Sequence, residues 1–458
     1  MSTEEALSRL LAASGLTWTR SHDGAYAIKP VPAERVAELA TVEVRGSPDA
    51  GTSYAVRRAS AATKTDTPLM ETPVSIQVVP RAILDDRQAM SLPDAVNGNV
   101  SGVLGRTGAG YLYDNFILRG FGDTSGFGTA YRNGLMNRQD IYDVSNVEQI
   151  EIVKGPAAVL YGRIEPGGMV NYVTKKPLDT PYHAIQQQIG SDHQFRTSVD
   201  TTGPLDENGT LLYRLNASYT DNESFRDFVG NERLFIAPTL AWRPTKDFEA
   251  TVEVEYKRDR FQADIGIPAI GKRPADIPFR RSLSDGKERQ TLENTLFAFD
   301  WTYRFNDDWK ITQRFQQQDW RLGHRQILAR ALLADDRTMP RWANKGVQNV
   351  GTQAMNLDLL GKFALFGAKH ELLIGLDEFR AETKTASSFF GAAPTIDIFD
   401  PVYGQLDMDT LIPNRNFYRK QRWSGVYVQD QITVFERLHF LADSTGRCNS
   451  LIKLLCGR

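Results

Sequence analysis

The strongest constraint on how this 458-residue chain can fold is an alternation of apolar and polar side chains, recurring in about ten or eleven segments between residues 184 and 441. In FEATVEVEYK, Phe248, Ala250, Val252, Val254 and Tyr256 share one side, and Glu249, Thr251, Glu253, Glu255 and Lys257 share the other. In LFAFDWTYRF, Phe297, Phe299, Trp301, Tyr303 and Phe305 oppose Ala298, Asp300, Thr302 and Arg304; in LLYRLNASYT, Tyr213, Leu215, Ala217 and Tyr219 oppose Arg214, Asn216, Ser218 and Thr220. Successive side chains of a strand point to opposite faces, so this period of two specifies long two-faced strands. Two architectures accommodate them. One is a soluble sandwich or propeller with a dry core. The other is a barrel turned inside out, apolar toward lipid and polar toward its lumen. The length of the strands favours the barrel, because a tilted span needs ~9–11 residues. So do their heavily charged polar faces and the aromatics near strand ends (Trp242, Phe261, Trp309, Trp320, Phe435), which are candidates for interfacial girdles.

Composition narrows the function. The net charge is −2, from 54 basic and 56 acidic residues, so no face has to be basic and nucleic acid is not an expected partner. No run approaches the ~18 apolar residues of a membrane helix, but a barrel spreads its apolar signal over alternate positions. The six histidines form neither an HExxH motif nor a Cys/His cluster, which leaves no metal site readable by spacing. The only cysteines, Cys448 and Cys456, lie at the very end, a distribution that suits an oxidising compartment.

The segments before residue 184 differ in character. Residues 1–29 read as a helix capped by Ser2 and Glu5, then a hairpin, LTWTR and AYAIK around His22-Asp23-Gly24. So short a piece cannot bury a core of its own. Its first residues, MSTEEALSRL, do not form a signal peptide. Residues 30–66 carry Pro30, Pro32 and Pro48 among small and polar residues and read as a linker. Within it, Ala40, Thr41, Val42, Glu43 and Val44 form a β-prone stretch that could add as a strand to a partner's sheet. Residues 67–178 are a compact mixed region of short apolar runs and Gly-rich turns, with one helix expected near 81–97. Gly120 to Gly126 has Ser125 where a dinucleotide fingerprint needs its third glycine, so turn chemistry accounts for it better.

That middle region carries a resemblance. TPLMETPVSIQVVP, FILRGFG and VEQIEIVKGPAAVLYGRIEPGGMVNYVTKKP, in that order, closely resemble the plug domain of TonB-dependent siderophore receptors. Residues 179–441, RWSGVYVQDQITV included, are similar to the first half of that family's barrel, which can have 22 strands. Residues 1–29 resemble the end of the signalling domain of the family's transducer subset, and Ala40–Val44 stands where the family keeps its TonB box. The implied fold is mainly β: a transmembrane antiparallel β-barrel, about half of it present, with a mixed α/β plug and the remnant of a small α/β signalling domain.

The resemblance also implies a function. It is energised uptake of a ferric siderophore across the outer membrane, with TonB as periplasmic partner and an inner-membrane anti-sigma regulator as a possible second. It implies no resident cofactor, because iron travels inside the siderophore. The ligand would sit on two apex stretches carrying Arg106, Tyr111, Tyr113, Phe127, Tyr131, Asn137 and Arg138, donors and rings suited to an iron chelate. Arg119, Glu148, Glu151, Arg163 and Glu165 are candidates for charge pairing between plug and wall. No catalytic constellation is evident, and a transporter requires none. Two other readings stay open: a receptor of the same build for a corrinoid or glycan, and a soluble all-β binding protein. The tail 442–458 breaks the alternation and reads as aberrant. A closed barrel of about ten strands would be too narrow for such a plug, so the chain is expected to be cut short at both ends and unable to transport alone.

Overall fold

A computed structural model describes residues 4–5, 11, 16–20, 26–30 and 53–454, apart from 108–112, 123–128, 139, 156–157, 162–163, 165, 263, 265, 287 and 436. The chain divides into two units, 1–47 and 48–458. In the first, Leu16–Arg20 pairs antiparallel with Tyr26–Pro30, the expected hairpin. Ala40–Val44 lies outside the described residues.

The second unit begins with the plug. Its sheet comprises β1 (Ser75–Pro80), β2 (Ala130–Arg132), β3 (Leu135–Met136), β4 (Val147–Lys154) and β5 (Gly168–Thr174), in the order β3-β2-β5-β4-β1. Only β5 and β2 run parallel. Val79, Leu84, Leu92, Phe116, Leu118, Ile150, Ile152 and Val170 bury one face. The single helix expected near 81–97 is two, α1 (Arg81–Asp86) and α2 (Leu92–Val96). Gln88 turns to φ 53 after the first, and Ser91 with Asp94 forms a capping box that starts the second. Close packing fixes two glycines. A Cβ on Gly167 would lie 2.1 Å from the Leu118 carbonyl oxygen, and one on Gly168 would lie 2.0 Å from that of Val153.

Eleven antiparallel strands, each paired with the next, form the wall: β6 (Tyr182–Ile189), β7 (Phe195–Pro204), β8 (Leu211–Glu223), β9 (Gly230–Thr245), β10 (Phe248–Phe261), β11 (Gln290–Arg304), β12 (Trp309–Ala329), β13 (Thr338–Leu365), β14 (Ala368–Asp397), β15 (Arg415–Val434) and β16 (Leu438–Leu454). Among the described residues β6 and β16 each pair on one side only, so the sheet is an open wall. Gln186 and Gln188 on β6 bond to the plug's Gln88, and Gln429 on β15 bonds to the Thr63 carbonyl just before the plug, so the sheet wraps it.

Burial on the wall is inverted. On β10 the charged Glu253, Lys257 and Asp259 are 3%, 3% and 0% exposed, while Val254 between them is 37% exposed. Arg214, Asn216, Ser218 and Thr220 on β8 are likewise buried against the plug. A soluble sandwich would show the reverse. Strand register joins the outward residues into an apolar row, Tyr213–Leu240–Val252–Phe299–Phe315–Met355, across six strands. The two rims differ as well. Turns 205–210, 246–247, 305–308, 366–367 and 435–437 are short; at the other rim, connections 262–289 and 398–414 are long and carry an apolar cluster in which Ile277, Leu283 and Ile398 pack with Met339 of β13 and Ile396 of β14. Short periplasmic turns and longer extracellular loops are the usual asymmetry of an outer-membrane barrel.

Two expectations need correction. Of the proposed girdle aromatics, Trp242 and Phe435 are exposed, but Phe261 and Trp320 are 4% and 2% exposed because they fall on the lumen parity of their strands. The tail from 442 does not break the wall: β16 runs to Leu454 and pairs with β15 up to Leu454–Tyr418. Ladder bonds are made by the backbone, so pairing survives the loss of side-chain alternation.

If the outward face meets lipid, Val254→Arg near mid-span should cost about 2–4 kcal/mol and reduce the heat-modifiable folded band after refolding into lipid vesicles. Asn216→Ser, on the lumen face, should leave that band intact. Equal folded yields from both would show that lipid does not cover this face.

Candidate ligand site at the plug–wall seam

The charged lumen face of β10 is matched by charged side chains on the plug. The Arg132 guanidinium, 1% exposed, bonds to Glu253 and to Glu255 (Nε–Oε1 3.0 Å). Asn146 donates to the same Glu255 oxygen at 2.7 Å. Asp140 meets Lys257 at 2.7 Å and accepts from Asn294 at 2.8 Å. Asp143 accepts from Arg196 at 2.9 Å and from Ser218 at 3.1 Å. Burial alone would raise the Asp143 carboxyl, but Arg196 and Arg233 outweigh it and hold it well below the usual carboxylate range. Nearer the turn rim, Lys175 meets Asp200 at 2.8 Å, and Gln429 donates to the Thr63 carbonyl at 2.8 Å.

Of the residues expected at this contact, Arg119 is exposed at the Leu118–Phe121 turn, and Glu148 is partly buried. Glu151 is 1% exposed, but it accepts from the Ala61 N–H just before the plug and from Gln149 and Asn171 within it, not from the wall. Arg163 and Glu165 lie outside the described residues. The charges that face the wall are instead on β2, on the segment 140–146, which lies along β7–β11, and at Lys175 just after β5. Nothing in the linear sequence registers that segment with those strands, although the wall's own charged parity was readable.

The extracellular end of the seam holds the apex. Asn137 accepts from Gln316 at 2.9 Å and donates to the Tyr172 hydroxyl at 2.9 Å, so both ends of its amide are engaged. Arg138 donates its backbone N–H to Gln318 at 3.2 Å and stacks its guanidinium 4.2 Å over the Trp320 ring. Burial lowers the Arg138 pKa to about 10, which still leaves it charged. Tyr131 is a core residue: its hydroxyl donates to the Tyr161 carbonyl at 3.1 Å and its ring packs edge-on against Tyr161. Tyr113 is partly buried beside residues 108–112. Arg106 pairs through its backbone with Asn115; Tyr111 and Phe127 lie outside the described residues. The apex set thus resolves into Arg138 and Tyr113 near the lumen, with Tyr131 and Asn137 serving the packing. Trp320 and His324, both on the inner face of β12, were missed; counting parity from Ile311 and Phe315 would have found them.

Residues 68–169 match the TonB-dependent receptor plug domain, and residues 241–443 match the TonB-dependent receptor β-barrel. The chain belongs to the TonB-dependent receptor family. It is an outer-membrane protein. It is similar to a metal–pseudopaline receptor of Pseudomonas aeruginosa (32% identity over 417 residues; 89% of this chain, 58% of that protein). It is also similar to the ferrichrome outer membrane transporter/phage receptor of Escherichia coli (28% over 414 residues; 83% and 55%). The ferripyoverdine receptor of Pseudomonas aeruginosa, solved with ferripyoverdine bound, shares its fold with a TM-score of 0.79 at 20% identity, over 100% of this chain and 61% of that one. The chain spans little more than half the length of the curated relatives it matches.

Asp114 gives the seam a pH dependence. Burial raises its carboxyl to about 7, against the Tyr142 N–H, Arg233 and Lys257. A carboxyl whose folded pKa lies above its unfolded value favours the fold at low pH, and that contribution is lost as pH rises from about 4 through 7. Asp114→Asn keeps an acceptor for Tyr142, so the variant should lose less stability than the parent between pH 5 and 8 in detergent melts. Parallel pH profiles would show that Asp114 does not titrate in this window.

Proposed function

We propose that this chain is the receptor for a ferric siderophore, which it binds at the extracellular end of the plug and passes along the lumen to the periplasm with work supplied by TonB. The observation that carries this reading is the pairing of a polar, plugged lumen with a cationic and aromatic apex, where Arg138 stacks on Trp320. An iron chelate rich in oxygen acceptors suits guanidinium, phenol and indole donors. Relatives named for ferrioxamine B and ferrichrome support the ligand class. The relative named for metal–pseudopaline favours one alternative, a chelate of a metal other than iron. Ala40–Val44 is the proposed TonB box and residues 1–29 a proposed signalling element toward an anti-sigma regulator.

The test is equilibrium binding of ferric siderophores of several classes to the detergent-solubilised chain. Arg106→Ala, Tyr113→Ala and Arg138→Ala should each weaken the preferred complex by about 1–3 kcal/mol. Proline at Val42, placed in a chain extended to the length of its relatives, should abolish energised uptake and leave binding intact, because proline removes a ladder donor. Unchanged affinity in all three apex variants would move the site elsewhere, and tighter binding of the iron-free zinc or nickel chelates would favour the second reading.

A further inference from the structure

Four N–H donors converge on the buried carboxylate of Glu151 on β4. Its Oε1 accepts from the Ser60 N–H at 3.3 Å and from Gln149 at 2.7 Å. Its Oε2 accepts from the Ala61 N–H at 2.8 Å and from Asn171 at 3.1 Å. Ser60 and Ala61 belong to the stretch by which the chain enters the plug, so one side chain fastens that entry to β4. Hydrogen bonds to an ionised acceptor are roughly twice as strong as neutral ones, and a buried carboxylate is costly to leave short of donors. The hold on the entry therefore depends on all four donors being in place.

Asn171 on β5, 0% exposed, joins this carboxylate to the apex. Its Oδ1 accepts from the Gly134 N–H at 2.9 Å, which leaves its NH2 to face Glu151. Asn133 and Gly134, at φ 48 and 81, make the tight turn between β2 and β3. Asn133 is itself fixed to Thr174, donating to its hydroxyl and accepting from its N–H, both at 2.9 Å. From that turn β3 runs directly into Asn137 and Arg138, about 13 Å of extended chain at ~3.3 Å per residue. A continuous path thus leads from Arg138 along β3 to Gly134, Asn171, Glu151 and Ala61. Asn171 shares Oε2 with the Ala61 N–H, so a shift of the turn disturbs the acceptor that holds the entry.

We propose that Glu151 is a positioning residue, a clasp on the plug's entry segment, and that Asn171 makes its grip depend on the hairpin that delivers Arg138 to the lumen. The inference rests on the reading of the apex as the ferric-chelate end, and it assigns the residues through which that end acts on the other. A displacement of β2–β3 draws Asn171 from Oε2 and loosens Ser60 and Ala61. The coupling runs both ways: freeing the entry removes two donors from Glu151 and loosens the hairpin's own tie.

The experiment follows hydrogen–deuterium exchange of residues 53–66 by mass spectrometry in the full chain in detergent, with peptides from β4 and β5 reporting whether the plug sheet stays folded. Without any chelate, Glu151→Gln should speed exchange of 53–66 by about tenfold or more. Asn137→Ala, at the apex end of β3, should speed it by about threefold in the parent and add nothing in the Glu151→Gln background, because the clasp it acts through is gone. Asn171→Leu should match Glu151→Gln. Where either unfolds the sheet, Asn171→Asp takes its place and should loosen 53–66 too, since it keeps the acceptor for Gly134 but sets a second carboxylate against Glu151. Additive effects of Asn137→Ala and Glu151→Gln, or no effect of Asn137→Ala on 53–66, would reduce Glu151 to a structural bond and overturn the proposal. A ferric trihydroxamate, a ferric tris-catecholate and ferric citrate are then added in turn. A chelate that binds should speed exchange of 53–66 in the parent and not in Glu151→Gln; equal speeding in both would overturn the proposal. A parent that binds none of the three would contradict the ferric reading alone, since the chelate-free comparison decides the clasp without it.

Discussion

The structure depends on pairing charge across the surface between plug and wall. The wall's inner face carries Arg196, Arg233, Glu253, Glu255, Lys257 and Asp259, all buried. In a dry interior each would carry a desolvation cost of several kcal/mol unless matched. Arg132, Asp140 and Asp143 match them, with both signs contributed from both sides. Because the inner face is satisfied by the plug, the outer face is free to be apolar, and the inverted sheet follows from that exchange. Such a contact can also be undone. Charged and hydrogen-bonded groups can exchange protein partners for water, whereas an apolar seam of the same area would resist hydration.

Most of the wall was legible in the sequence because its rule is local. Alternation in FEATVEVEYK or LLYRLNASYT assigns each residue to a face without reference to any other strand, and the exposures of Val254 and Glu253 follow from it. The rule also explains the failures. Trp320 and Phe261 lie near strand ends, where girdle aromatics are expected, but parity turns both inward. The tail lacks alternating side chains, yet β16 is held by backbone bonds to β15.

The site was less legible for the opposite reason. Which plug residue meets which strand is a long-range fact. Glu151 is buried and charged like a contact residue, yet its partners are Ala61 and Asn171. Tyr131 has the chemistry of a ligand contact, yet it packs on Tyr161. Arg138 has both the chemistry and the place, because the segment after β3 delivers it to the inner face of β12.

The central claim is an inside-out sheet wrapped around a polar seam, and tryptophans on its two faces test it directly. Two variants each keep one tryptophan, Trp242 or Trp320, and are reconstituted into vesicles of lipid brominated on the acyl chain. Trp242 is 51% exposed and outward, and Trp320 is 2% exposed and inward. The account predicts strong quenching of Trp242 and little of Trp320. Equal quenching, or quenching of Trp320 alone, would contradict it.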